Sequence, residues 1–195
     1  MKKGRKSFNE NNVPASGDLP IWKRFVAYMV DWYLGSIFTS LPMVMIYMKA
    51  TNTQDLNTNL FQYPKQYALM AGALGLLFGF FYYLIVPLLI WKGQTLGKHW
   101  CHFKIVKKNC QDVSFKQLFL RQIIGIFLVE GALIFPSNLF HQILSFICNV
   151  NLITPLNYVG IAISIISGLL VLIRKDHRAI HDLIASTKVI SVLEK

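Results

Sequence analysis

Residues 66–91 read QYALMAGALGLLFGFFYYLIVPLLIW, a run of 26 residues without one charged side chain. A helix needs about 20 apolar residues to cross the roughly 30 Å hydrocarbon core of a bilayer. A second run, 25–48, carries one charge, Asp31, and a third run, 122–173, carries only Glu130. The third run is long enough for two helices. We therefore predict an all-α fold, a polytopic membrane bundle of four transmembrane helices.

The composition excludes two other classes of protein. Of the 195 residues, 54% are hydrophobic and 15% are charged, against a usual charged share of about 25%. An intrinsically disordered chain needs low hydrophobicity and a high charge density, so that class is excluded. The cysteines number three, which is too few and odd for a small secreted scaffold stapled by disulfides.

The third apolar run contains two signals that divide it. Residues 136–138 read Pro-Ser-Asn and break or kink a helix, and Thr154-Pro155 is a cap followed by a first-turn proline. The third span ends before the first signal or continues through it towards Leu144. Alternatively, residues 139–150 form a separate amphipathic helix on the outer surface. The four spans are predicted at about 25–48, 66–91, 118–140 and 155–173.

The positive charges predict the orientation. The net charge is +11, and of the 20 Lys and Arg residues all but Lys49 and Lys65 lie in the N-terminal segment, the central loop or the C-terminal segment. Cytoplasmic loops carry the excess of cations, so we predict a multi-pass protein of the cell membrane with both termini cytoplasmic. Residues 1–20 are predicted to be a disordered cytoplasmic leader ahead of a membrane domain at 21–192.

The same positive charges predict the partners. On the cytoplasmic side they are expected to touch membrane lipid, including anionic lipid of the inner leaflet. Nucleic-acid binding is not expected, because too little polar sequence remains outside the spans to form a basic face.

The central loop contains a turn-rich segment, GQTLGK at 93–98. A phosphate-binding P-loop needs four residues between its glycines and Ser or Thr after the lysine, whereas three residues and His99 stand here. The basic, β-branched residues 103–108 predict a short strand or an interfacial ribbon. Ser114 followed by Gln117 predicts a capping box that starts a helix.

The sequence contains only weak signals for a metal site or an enzyme active site. His99, Cys101 and His102 lie close together, but no second cluster has zinc-like spacing. His177 and His181 share a helical face, yet an arginine occupies the position where a zinc protease has glutamate. No nucleophile and base form a recognisable set. We predict no bound metal, no cofactor and no enzyme activity.

Two carboxylates lie within the apolar runs. Asp31 is two helical turns from Arg24 and about 10 Å deeper, and Glu130 is about 13 Å beyond Arg121 at the α-helical rise. A charged carboxylate near the bilayer centre costs about 2.5–3.5 kcal/mol, which a cation, hydroxyl groups, water or protonation must offset. We predict that Asp31 and Glu130 form an ion or proton site. The alternatives are a buried ion pair for Asp31 and a protonated, hydrogen-bonded Glu130.

Small residues recur every four positions in the second apolar run, at Ala71, Gly75 and Gly79. Such a face allows helices to approach closely. It predicts tight packing against another span of this chain or against a second copy of it.

Three motifs together resemble the RDD family of small membrane proteins. Residues 22–31, WKRFVAYMVD, are similar to its opening segment, residues 93–98 to its central G-x-T-x-G-K, and residues 180–189, IHDLIASTKV, to its closing segment. The resemblance implies that the signature residues of the family are Arg24, Asp31 and Asp182 here. The residues that carry the central and closing motifs are Gly93, Thr95, Gly97, Lys98, His181 and Thr187.

The resemblance also implies a role in transport, since cation/proton exchange is known for some members. The favoured hypothesis is a small cation- or proton-coupled carrier, or a subunit of one, that acts as a homo-oligomer or with another membrane subunit. The alternative is a non-catalytic membrane interaction or assembly module. Because both chain ends meet at one membrane surface, Asp182 is expected to accept hydrogen bonds from Arg24 or from the turn at 93–98.

Overall fold

The computed structural model describes residues 21–131 and 134–192, so the predicted leader at 1–20 lies outside the described residues. Long helices dominate the part that is described. Helix α1 is Ile21–Thr51, α2 is Lys65–Ile90 and α6 is Ile153–Ile173, and these three are long and apolar enough to cross a membrane. A short 3-10 turn, Leu60–Gln62, precedes α2.

The third apolar run forms two separate helices. Helix α4 consists of Phe115–Phe119 joined directly to Leu120–Val129, and α5 is Phe135–Cys148. The predicted span 118–140 is therefore not one helix. Pro136 lies in the first turn of α5, where proline favours the start of a helix instead of kinking it. The predicted capping box of Ser114 and Gln117 is present at the start of α4.

Helix α5 packs inside the bundle. A helix on the outer surface is one of the alternatives that the sequence leaves open for this segment. Leu139 is fully buried with Met43 of α1, and Ile143 and Phe146 pack against the same cluster. The polar side of α5 is buried as well, since Ser137, His141, Gln142 and Ser145 are all less than one-tenth exposed.

The small residues of α2 provide the room for this packing. A Cβ atom at Gly75 would lie 2.7 Å from Leu139 Cδ2 and 3.0 Å from Met43 Cγ. Similarly, a Cβ at Gly79 would lie 2.8 Å from Thr39 Oγ1 and 3.0 Å from Pro136 Cγ. The face that contains these glycines thus packs against α1 and α5 of the same chain.

Four short elements form a layer across one end of the helices, which we call the basal layer: α3 (Leu96–Trp100), β1 (Phe103–Lys107), α7 (Ile180–Ile184) and β2 (Thr187–Ser191). The strands pair antiparallel, with Ile105 opposite Val189. The all-α prediction is therefore confirmed only as a mostly helical fold, to which the structure adds this two-stranded sheet. The strand expected at 103–108 forms, but its partner at the far end of the chain was not foreseen.

The basal layer is packed firmly onto the helices. Phe103, Ile105 and Val189 of the sheet form one buried cluster with Ala27, Leu84 and Leu118 of the long helices. Removing such side chains from water is worth about 1.5–3 kcal/mol each. This packing brings the central and closing motifs to the polar side chains of α1 and α4.

Candidate functional site

The carboxylate of Asp31 is buried and fully hydrogen-bonded. Its Oδ1 accepts from the Tyr82 hydroxyl at 2.9 Å and from the Gly97 N–H at 2.8 Å. Its Oδ2 accepts from the Thr95 hydroxyl at 2.5 Å and from Lys98 Nζ at 2.8 Å. These donors include one full cation, which balances the carboxylate charge. We call this group of residues the Asp31 cluster.

The central motif explains why these donors converge on α1. Gly93 adopts a φ of +78° in the turn after α2, a conformation that favours glycine. The chain then starts α3 at Leu96, so that Thr95, Gly97 and Lys98 all face Asp31. The motif expected from the resemblance thus acts as a carboxylate-binding turn.

Gly97 is required for the contact between α3 and α1. A Cβ there would overlap the Ala27 carbonyl oxygen and lie 2.9 Å from Asp31 Oδ1. We expect Gly97→Ala to destabilise the protein by about 1–3 kcal/mol, as overpacking does, measured by unfolding in mixed micelles. The matched control is Gly168→Ala, because a Cβ at Gly168 meets nothing within 4 Å. Equal stability of the two variants would contradict the close approach.

Asp182 forms a second buried cluster. Its side chain is 0% exposed, and its Oδ1 accepts from Arg121 Nη1 and, at 3.1 Å, from the Thr187 hydroxyl. Its Oδ2 accepts from the Ala179 N–H at 3.4 Å and lies 3.8 Å from Arg24 Nη2. The Asp182 cluster therefore joins α7 and β2 to α1 and α4.

This arrangement corrects the hydrogen bonds expected for Asp182. Arg24 approaches it as an ion pair at 3.8 Å, while Arg24 Nη1 donates its hydrogen bond to the His177 carbonyl at 2.7 Å. The turn at 93–98 binds Asp31 instead. The main donor is Arg121, which is 3% exposed and whose charge the sequence suggested only as a marker of orientation.

Glu130 caps the end of α4 and forms a third cluster. Its Oε1 accepts from the Ser167 hydroxyl at 2.7 Å and from the His181 N–H at 2.9 Å, and its Oε2 lies 2.8 Å from His181 Nδ1. The Ser164 hydroxyl donates to its backbone carbonyl at 2.5 Å. Within the described part of the chain, its ion-pair contacts involve His181 alone.

The hydrogen bonds of His181 define its protonation state. Arg121 Nη2 lies 3.0 Å from His181 Nε2. Arginine can only donate, so Nε2 accepts and Nδ1 carries the proton that is donated to Glu130. Burial and the charge of Arg121 lower the pKa of His181 to about 4, although Glu130 opposes this shift. The imidazole is therefore neutral at pH 7, and Glu130 receives no full positive charge from it.

The structure does not bring Asp31 and Glu130 into one site. The donors to the Asp31 carboxylate come from α2 and the central motif, and those to the Glu130 carboxylate come from α6 and the closing motif. His181 and Arg121 instead connect Glu130 to Asp182.

Some members of these clusters were missed. Tyr82 and Ser167 lie inside the long apolar runs, and polar side chains in such runs are the sequence signal that could have found them. As for metals, no three His, Cys, Asp or Glu side chains group as ligands within 21–131 and 134–192.

Comparisons with known proteins agree with the resemblance to the RDD family. The model of the RDD family matches residues 19–186. YckC, an uncharacterized protein of Bacillus subtilis (strain 168), is 28% identical over 168 residues, which cover 86% of this chain and 81% of that protein. No solved structure matches the chain.

Proposed function

The chain belongs to the RDD family of small membrane proteins, and we propose that it is a proton-coupled carrier, or a subunit of one, in which Glu130 exchanges the proton. Family membership and the three long apolar helices make it an integral membrane protein. The observation that carries the proposal is the different charge balance of the three buried carboxylates.

Asp31 has Lys98 at 2.8 Å, and Asp182 has Arg121 in direct contact and Arg24 at 3.8 Å. Glu130 has a neutral imidazole, a hydroxyl and the backbone N–H of His181. Within the described part of the chain, it is thus the one of the three carboxylates that has no full cation in contact. We propose that this difference makes Glu130 the group that exchanges its proton.

The interrupted third apolar run supports the same proposal. Phe127 of α4 packs on Phe80 of α2 with 5.3 Å between ring centroids, and α5 continues along α2 with Pro136 beside Gly79 and Ile143 beside Gly72. We infer that α4 and α5 together form the third of four crossings, with Glu130 at the interruption. Carriers often place coupling sites where a membrane helix is discontinuous.

The proposed topology predicts which loops are accessible from outside the cell. In a variant whose three cysteines are replaced by serine, single cysteines at the exposed residues Leu56 and Asn151 should react with an impermeant maleimide in intact cells. Cysteines at the exposed residues Lys108 and Ser186 should react only after the cells are opened. Labelling of Lys108 from outside would overturn the orientation, in which the basal layer faces the cytoplasm and its anionic lipid.

Transport is tested with purified protein in liposomes that contain a pH-sensitive dye. After an acid-inside gradient is imposed, addition of Li⁺, Na⁺ or K⁺ outside should speed its collapse. Glu130→Gln keeps the size of the side chain and should abolish the acceleration. The matched control is Asp112→Asn, whose carboxylate is exposed and paired with Lys104. No acceleration by any of the cations in the wild type would contradict an antiport function.

A second candidate function is a non-catalytic assembly module, and α6 favours it. Only 11% of the most apolar stretch of α6 is buried, which leaves a broad face for a second copy or another membrane subunit. A photocrosslinker at the exposed residue Ile165 should then capture a protein in native membranes. Adducts with lipid alone would argue against this role.

A further inference from the structure

A cavity of about 230 Å³ lies between the end of α4 and helices α5 and α6. Val129 and Gly131 line one end of it, and Leu156 and Ile163 line its α6 side. His141 is the one polar side chain among its lining residues in the described part of the chain. The side chains around the cavity are therefore apolar apart from one imidazole.

The cavity borders the Glu130 cluster but contains none of its polar partners. Val129 and Gly131, on either side of Glu130, line it, and along α6 its lining ends at Ile163, next to Ser164. Neither His181 nor any other partner of the Glu130 carboxylate lines it. An occupant of the cavity therefore lies beside the end of α4 but contacts none of the donors to the Glu130 carboxylate.

His141 gives the cavity its chemistry. It is 7% exposed, and its Nδ1 lies 3.0 Å from Asn157 Oδ1. The amide oxygen accepts, so Nδ1 carries a proton, and in a neutral imidazole Nε2 is then an acceptor. No donor to Nε2 is found among the residues that the structure describes. A buried acceptor of this kind requires a donor from whatever occupies the cavity.

We propose that this cavity binds a small amphiphile with a short alkyl body and a single O–H or N–H group, which donates to His141 Nε2. At the roughly 30 Å³ that one water molecule occupies in the liquid, the volume suits a molecule with the bulk of about eight waters. A lipid acyl chain would fill the apolar space but leave the imidazole without a donor. Water would satisfy the imidazole but wet the apolar walls. A small alkanol or alkylamine both fills the apolar space and donates a hydrogen bond to the imidazole.

The proposal is tested by photolabelling in liposomes with a diazirine derivative of hexan-1-ol, followed by mapping of the adducts by mass spectrometry. Adducts are expected at Val129, Leu156 and Ile163, and excess hexan-1-ol should remove them. A diazirine derivative of hexane, which has no hydroxyl, should label about tenfold less, as expected for the loss of one buried hydrogen bond. Equal labelling by the alkane would mean a crevice filled by lipid chains and would overturn the proposal.

Variants identify the acceptor. His141→Phe keeps an aromatic ring but removes the nitrogen, and it should reduce alkanol labelling about tenfold, whereas His141→Gln supplies an amide oxygen and should restore part of it. His99→Phe in the basal layer is the matched control and should label as the wild type does. Full labelling of His141→Phe would overturn the assignment. If that variant does not fold, the comparison of alkanol with alkane in the wild type decides. Because no gradient is used, the result is independent of proton exchange at Glu130.

Discussion

Replacing Arg121 with leucine is expected to destabilise the folded protein by about 3–5 kcal/mol, the usual effect of breaking a buried ion pair. Arg121 and Asp182 are 3% and 0% exposed, so the carboxylate cannot be rehydrated without opening the basal layer. The other arginine near Asp182 is Arg24, whose Nη2 lies 3.8 Å from Asp182 Oδ2. The loss should be measured as unfolding in mixed micelles and as the level of protein in membranes.

Two further variants identify the source of this loss. Lys116→Leu changes an exposed cation of the same helix and should alter stability by less than about 0.5 kcal/mol. Arg121→Leu combined with Asp182→Leu removes both charges and should recover part of the stability. A variant that exchanges the charges of Arg24 and Asp182 should not restore stability, because its arginine at position 182 would face Arg121. Strictly additive losses in the Arg121 and Asp182 double variant would contradict their pairing.

Replacing Asp31 with leucine should change insertion and folding in opposite directions. Without its charge, α1 should enter the bilayer more easily, by about 2.5–3.5 kcal/mol on insertion scales. The folded protein should nevertheless lose about 3–5 kcal/mol, because Lys98 would lose its counter-charge and Thr95 and Tyr82 their acceptor. Glycosylation mapping of α1 insertion and unfolding of the purified protein measure the two effects separately.

The control for Asp31→Leu is Asp112→Leu, since the side chain of Asp112 is 60% exposed and its pair with Lys104 is solvated. Combining Asp31→Leu with Lys98→Met should recover part of the lost stability, as the pairing in the Asp31 cluster requires. A variant with Asp31→Leu that unfolds like the wild type would mean that the central motif does not hold α1.

Hydropathy predicted three of the helices well, because α1, α2 and α6 each contain about the 20 apolar residues that a crossing requires. The interruption between α4 and α5 was harder to locate. The apolar run continues through it without a change of composition, and Glu130 itself ends the helical segment. The sequence pattern predicts the break at Pro136, but this residue lies in the first turn of the next helix.

The pairing of strands in the basal layer is also not predicted by local sequence patterns. The pattern at 103–108 predicted a strand, and this strand does form as Phe103–Lys107. A two-stranded sheet needs a partner, however, and that partner, Thr187–Ser191, comes after the closing motif. Pairing between distant short segments depends on how the helices bring them together, which local patterns do not contain.

The motifs identified many of the residues in the clusters but not their pairings. The two helical turns between Arg24 and Asp31 suggested a common face, yet Arg24 contacts the closing motif and Asp31 the central one. The predicted depths of Asp31 and Glu130 assume that their carboxylates contact only lipid and other membrane spans. The basal layer instead reaches up to them with Lys98 and His181.

The proposed carrier function requires that Glu130, and not Asp31 or Asp182, changes its protonation state. Infrared difference spectra of the reconstituted protein during a pH titration report the C=O stretch of any carboxylic acid that forms. We expect one buried carboxyl band, absent in Glu130→Gln and unchanged in the half-buried control Asp176→Asn. A carboxyl band that persists in Glu130→Gln would contradict this assignment, because another buried acid would then exchange the proton.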